Sequence, residues 1–383
     1  MIKMSASRFA YIDNVRSLVI FLVLATHSAV TYSGFGDWYY MEGSPEKLSV
    51  FGTAFFGLIQ SHMQAWTMGM LFFISAYLAT KSLSKRGSFG FIKERLFRLG
   101  LPLLLYIFIV TPFIVFVILG NVPEPGDFSN KNFFENYSQF LINFWWLGSS
   151  GPLWFVQVLL IFCFIYVLVK KCFNKFITVK NISQISIVLM IFIIGICAFL
   201  VRLVFPIGTS FYNLQFCYFS SYTVMFIAGL LIGENNLLDE LTDEKNIRWL
   251  KLSLVIGIPM WVLIMLFGGA LEGKTYFNGG FCWQSFAFAF WEALTAVGFS
   301  TGLIALFKKK VNADNKITGL VRNNAFGIYF FHAPIMVIIS LSLKNWVLNP
   351  IIKFLIVLFI AFITTLLFSY FIRKIKPMRI LFK

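Results

Sequence analysis

Apolar runs long enough to cross a lipid bilayer recur along the whole chain, and they decide what it can fold into. They stand at about 12–33, 62–81, 99–119, 152–170, 185–205, 217–234, 250–270, 282–307, 320–341 and 351–372. Each fits a helix of ~20 residues, the length that crosses a hydrocarbon layer of ~30 Å. A backbone in lipid must satisfy its own hydrogen bonds, and a single segment does so only as a helix. Of the 383 residues, 13% are charged, against about 25% in soluble proteins. The expected fold is an all-α integral membrane protein of about ten transmembrane helices. It forms one domain over 1–383, with no appended soluble domain. The apolar stretch 51–61 either extends the second span or lies as a short interfacial helix. Asp13, Arg16 and His27 in the first run, with no small-residue cleavage pattern after it, argue against a removable signal.

The net charge is +16, and its distribution points to membrane surfaces rather than nucleic acid. One set of alternate loops holds most of the basic residues, from Lys3 and Arg8 through Lys85, Arg86, Lys93, Arg95, Arg98, Lys175 and Lys308 to Arg373 and Lys383. The opposite set holds only Lys47, Lys131, Lys274 and Lys344. The positive-inside rule then puts both termini in the cytoplasm and anionic lipid headgroups beside the basic loops. The five cysteines show neither CxxC nor metal-ligand spacing, so they are read as small buried hydrophobes. Of the external loops, 34–50 is aromatic and mildly acidic. Loop 120–151 is the longest and carries no strand pattern. Aromatic and amide side chains together suit sugar rings, but Trp145 and Trp146, taken singly, read first as interfacial belt residues.

Chemistry-bearing residues inside the spans are few. Arg16 and His27 are eleven positions apart, so on one helix they share a face, ~16 Å apart along its axis. A cation near one surface and an imidazole deep in the bilayer on one stripe is a functional arrangement. His62 opens the second span, where a packed core role and a functional one are both open. His332 is followed by Pro334, which loosens the helix and frees the carbonyl of Phe330. Arg95 and Arg98, at i and i+3 near the start of the third span, form either a phosphate site aided by a helix N-terminus or a snorkelling basic girdle. Glu292 lies about ten residues into the eighth span and needs a buried cationic partner, with Arg202 a candidate. Asp13 can cap or orient Arg16. Three histidines on three spans do not argue a metal site.

Six segments in order carry a resemblance to a known family. They are YIDNVRSLVIFLVLATH with Arg16 and His27, HMQAWTMGMLFFISAYLATKSL, RLFRLGLPLL with Arg95 and Arg98, GPLWFVQVLLIF with Trp154, WEALTAVGFSTGLIALF with Glu292, and AFGIYFFHAPIMVII with His332. Together they resemble the acyltransferase-3 family of bacterial membrane acyltransferases. The likeness is closest to the branch of the glucan-succinylating protein of Gram-negative bacteria (glucans biosynthesis protein C-like). Two positions depart from the family pattern: Gln157 stands where other branches carry a Glu, and Ala76 replaces the Gly of a Ser-Gly-aromatic motif.

The resemblance implies a multi-pass protein of the inner (cytoplasmic) membrane. It would transfer an acetyl or succinyl group from cytoplasmic acyl-coenzyme A to a hydroxyl of an envelope carbohydrate. It implies Arg16, Arg95 and Arg98 on the cofactor phosphates and His27 as general base or transient acyl carrier. Glu292 and His332 would orient it, relay a proton or steady the oxyanion. His62, Trp154 and Asp13 are candidate substrate contacts. No metal is implied, N-acylation of an amino sugar is not distinguished, and self-association is left open. The rival reading is an exporter or flippase of a lipid-linked sugar or hydrophobic small molecule. The absence of a fixed-period internal repeat gives that reading no support.

Overall fold

The computed structural model describes residues 10–120, 132–173, 177–312 and 315–382. Lys3, Arg8, Lys131, Lys175 and Lys383, counted above among the loop charges, lie outside the described residues, as does 121–131 of the long external loop. In chain order the α-helices are α1 Ala10–Ser33, α2 Val50–Arg95, α3 Leu101–Leu105, α4 Phe133–Ile142, α5 Trp154–Cys172, α6 Gln184–Arg202, α7 Phe219–Glu234, α8 Leu238–Leu241, α9 Ile247–Val255, α10 Gly257–Phe267, α11 Trp283–Lys310, α12 Lys316–Ser342, α13 Pro350–Ile372 and α14 Lys376–Leu381. Among the described residues the β pairing is one isolated bridge, Phe211 with Leu214. Nine helical stretches there are long and apolar enough to cross a membrane.

One of the nine, Val50–Leu119, has 70 residues. Straight, it would measure about 105 Å at 1.5 Å per residue. It is not straight. Gly87 has φ +68° and ψ 173°, a conformation open to glycine and costly for other residues. Ser82 Oγ donates to Glu94 at 3.0 Å and Arg86 pairs with Glu94 at 3.1 Å. A straight helix would hold positions 82 and 94 about 18 Å apart. The chain therefore reverses at Gly87, and the runs at 62–81 and 99–119 are its two arms. The apolar stretch 51–61 extends the first arm, which reaches about 55 Å over 50–86.

The second arm departs from α-geometry. Leu96–Gly100, Tyr106–Val110 and Phe113–Leu119 are π-helical, with α3 between the first two. Pro102 and Pro112 lie among these turns. Each lacks an N–H and crowds the carbonyl four residues back, so the hydrogen-bond ladder shifts around it.

α1 packs against α2, α11, α12 and α13. Asn14 Nδ2 donates to the Val311 carbonyl at 2.7 Å near its start, and Ser28 Oγ to the Phe354 carbonyl at 3.0 Å near its end. Ser28 is late in α1 and Phe354 early in α13, so the two helices are antiparallel. Ala10 and Ile372 lie at the same end of the bundle. α6 is peripheral: Ile185, Leu189, Phe192, Ile196 and Leu200 form an exposed apolar stripe at helical spacing, as a lipid-facing helix requires. The long loop after span three contains α4. Its capping box joins Asn132 and Glu135, with Glu135 N–H donating to Asn132 Oδ1 at 3.0 Å. That N-x-x-E signal is legible in the sequence.

Candidate active site

The end of α1 is a turn built from glycine. Gly34 has φ +71°, and the chain folds back so that Glu42 and Gly43 N–H both donate to the Thr31 carbonyl, at 2.8 and 3.0 Å. A Cβ on Gly43 would lie 2.0 Å from the Tyr32 carbonyl oxygen, so only glycine permits this approach. Segment 34–43 thus returns over the end of its own helix. It is tied there by Glu42 to Lys353 of α13, a lysine only 3% exposed. Tyr39 Oη meets Thr111 Oγ1 of the third span at 3.2 Å, and Thr111 Oγ1 donates to the Ser149 carbonyl at 2.8 Å.

This return places Trp38 on His27. The two rings stack with centroids 3.8 Å apart and planes 16° from parallel. His332 of α12 joins them, 5.3 Å from His27 and 5.9 Å from Trp38, again nearly parallel. His27 is half-buried and His332 fully buried. His332 Nδ1 lies 2.7 Å from the Tyr329 carbonyl oxygen. A carbonyl can only accept, so Nδ1 carries the proton and Nε2 presents the lone pair in the neutral ring. His332 Nε2 and His27 Nδ1 are buried without a hydrogen-bond partner among the described residues. The carbonyl that fixes His332 belongs to Tyr329, not to Phe330. A side chain reaches back along its own helix face to i−3, whereas i−2 points elsewhere. Tyr329 is held in turn by its hydroxyl, which donates to the Pro152 carbonyl.

Gly151 and Pro152 open the GPLW segment before α5. Gly151 has φ +48°, and a Cβ there would lie 2.2 Å from Tyr39 Oη and 2.8 Å from a Tyr106 ring carbon. The segment thus supports the strap on one side and Tyr329 on the other. Trp154 itself packs on Tyr222 at 5.4 Å. Gln157 Oε1, at the position where the family pattern departs, is buried without a partner among the described residues.

Glu292 belongs to a second cluster. It is ion-paired with Arg202, which is wholly buried and flanked by the rings of Tyr218 and Phe288 at 5.5 and 5.7 Å. The buried cation that a mid-membrane carboxylate needs is therefore Arg202. No contact among the described residues joins Glu292 to His27 or His332. His62 sits beside the same cluster, edge-on to Trp291 at 4.9 Å, with Nδ1 at 2.9 Å from the Leu58 carbonyl.

The three arginines lie toward the other end of the bundle. Arg16 pairs with Asp13 at 3.1 Å, which orients it. α1 is continuous from Ala10 to Ser33, so Arg16 and His27 do share a face, as their spacing requires. A groove lined by Asn14, Ser17, Leu18 and Val321 lies on the opposite face of α1. Arg95 packs its guanidinium over the Phe91 ring at 4.9 Å, and Arg98 reaches out to Glu94 at 3.3 Å. The π-helical turn from Leu96 lies between them, so one turns inward and the other outward. The helix N-terminus expected beside them is absent. The helix begins after Gly87, about two turns earlier, and a macrodipole fades within its first turn. Among the described residues no contact joins Arg16 to Arg95 or Arg98, and no cluster of His, Cys, Asp and Glu suits a metal.

Trp38 and Tyr39 are the residues that sequence reasoning passed over. Their signal was the aromatic run of the 34–50 loop bounded by Gly34 and Gly43. The fold is that of a polytopic, all-helical membrane protein, with His27, Trp38 and His332 packed together inside the bundle. The chain belongs to the acyltransferase-3 family: the family profile, described as an acyltransferase domain, matches residues 9–374. It is a membrane acyltransferase. Comparison with curated proteins and with solved structures gives no match.

Proposed function

We propose that the protein transfers an acetyl or succinyl group from acyl-coenzyme A to a hydroxyl of an envelope carbohydrate, across the inner membrane that it spans with both termini cytoplasmic. The observation that carries this is the His27–His332 pair. Two imidazoles, His27 half-buried and His332 fully buried, lie face to face, and His332 has its tautomer set by the Tyr329 carbonyl. A neutral imidazole lone pair is the group that can take a proton from an acceptor hydroxyl as it attacks a thioester. Proton transfer of this kind contributes typically ~10²–10⁴-fold to rate.

His27 is the base, or carries the acyl group in transit. His332, with Nε2 free, relays the proton. Arg16 lies ~16 Å down the same face of α1, a distance the flexible arm of coenzyme A can cover. Arg16, Arg95 and Arg98 would hold the cofactor phosphates at that end, since guanidiniums match phosphate oxygens in fork geometry. Glu292 supports the bundle through Arg202, and its effect on His27 is indirect. The acceptor reading draws on Trp154 and on Trp145 and Trp146 of the long external loop, whose rings suit the apolar faces of a sugar. The glucan-succinylating branch supplies the working choice of acyl group and acceptor.

The test is acyl-coenzyme A consumption by the purified protein in detergent, read as released thiol, with a glucan acceptor. His27→Ala should lose at least ~10²-fold in turnover, the low end of general-base catalysis, while still inserting and remaining monodisperse. Wild-type turnover in that variant would remove the central claim. Mass spectrometry of envelope glycans from cells with and without the gene should show a difference of one acyl unit.

A further inference from the structure

We infer that Trp38 is the residue that positions His27 for the reaction, by stacking on its imidazole and holding it parallel to His332. This rests on the reading of His27 as the working base. A histidine side chain rotates about two bonds, and one face of the His27 ring is closed off by the indole at 3.8 Å. The stack has three members with planes within 16–23° of one another, so the tilt of His27 is shared by its neighbours.

The indole does not find that place through a hydrogen bond of its own. Trp38 Nε1 is buried without a partner among the described residues, whereas a tryptophan buried for packing alone usually satisfies its N–H. Its place is set by the strap around it. The next residue, Tyr39, is fixed to Thr111 through its hydroxyl. Four residues on, Glu42 is fixed to Lys353 by its side chain and to Thr31 by its N–H. Gly34 and Gly43 make the two ends of the strap possible. Five anchoring residues from α1, the strap, the third span and α13 thus converge on the orientation of one ring. Ordering a loop costs about 1–2 kcal/mol per residue in backbone entropy, and here the ordered loop delivers one side chain to the imidazole.

The experiment uses the full chain in detergent with three variants: Trp38→Ala, Trp38→Leu, which keeps bulk without a ring, and Trp38→Phe, which keeps a ring. The first readout is the rate at which diethyl pyrocarbonate modifies His27, followed at the peptide level by mass spectrometry. His62, which Trp38 does not touch, is the internal reference. The second is the split between kcat and KM for the acyl donor. Loss of one ring stack should raise His27 labelling and lower kcat, each by roughly 2- to 10-fold, in the Ala and Leu variants. His62 labelling and donor KM should stay unchanged, and Trp38→Phe should stay near wild type on every count.

Trp38→Leu with wild-type kcat and wild-type His27 labelling overturns the inference. So does a fall in kcat with no change in His27 labelling, because the effect then bypasses the imidazole. A parallel rise at His27 and His62 also overturns it, by showing general loosening. Failure of the underlying reading looks different: His27→Ala would still turn over, whatever the labelling shows.

Discussion

Removing one member of the Arg202–Glu292 pair should cost far more than removing both. Arg202 is wholly buried, and the Glu292 side chain is 4% exposed. Their surroundings are the rings of Tyr218 and Phe288, with no other charge in contact among the described residues. Glu292→Ala leaves a guanidinium in that setting, and Arg202→Met leaves a carboxylate. An uncompensated buried charge of this kind costs about 3–5 kcal/mol. At the roughly 2 °C per kcal/mol expected of a large chain, each single variant should melt about 6–10 °C below wild type. Replacing both by methionine removes the charges at similar bulk, and such replacements are often neutral or stabilising by about 1–4 kcal/mol.

The assay is thermal unfolding in detergent, followed with a thiol-reactive dye after the exposed Cys172 and Cys197 have been blocked, since Cys217 is buried beside this pair. A double variant as unstable as the singles would refute the pairing argument, as would single variants that melt at the wild-type temperature. Turnover adds a second outcome. A stable double variant that still transfers acyl groups confirms Glu292 as a charge partner, and a stable inactive one places it in the chemistry.

Arg95→Ala should raise KM for the acyl donor, by roughly 10-fold for one charge-assisted contact of ~1.5 kcal/mol, with kcat little changed; an unchanged KM in a donor titration supports a girdle role instead. Gly151→Ala forces an L side chain to φ +48° and into Tyr39 Oη. It should lower stability by at least ~1–2 kcal/mol and reduce turnover, because Tyr39 anchors the strap; wild-type melting and activity would contradict the geometry. Glu42→Gln deprives the buried Lys353 of its counter-charge. It should cost about 1–3 kcal/mol and speed His27 labelling, which peptide mass spectrometry can follow.

The spans were legible because lipid imposes a length and a composition on any helix that crosses it. The shared face of Arg16 and His27 was legible because one helix carries both. His332 could be singled out as a histidine in an apolar run, but not as a neighbour of His27, because α12 meets α1 only through tertiary packing. Trp38 was harder still. A loop that returns into its own bundle has no period, and its path depends on Glu42 finding Lys353, 311 positions away. Arg95 and Arg98 show the opposite error. The third run was read as a separate helix beginning near them, but hydropathy marks where a helix enters lipid, not where its hydrogen bonds begin. Those begin just after Gly87.

The π-helical turns of the third span have a consequence for its length. Each accommodates residues that an α-helix of the same rise would not hold. Deleting a single residue within 96–100 would let that turn close as an ordinary α-turn and leave everything after it facing as before, whereas deleting one within α3, already α-helical, would rotate everything after it by about 100°. Tyr106 and Thr111 would then swing off the face that meets Tyr39, although no residue in contact with the strap had been altered. This stretch of the chain should therefore tolerate exchanges of apolar side chains far better than the loss or gain of one residue outside its π-helical turns. Its exposed apolar surface at Leu104, Ile109 and Phe113 allows such exchanges, while its counting does not.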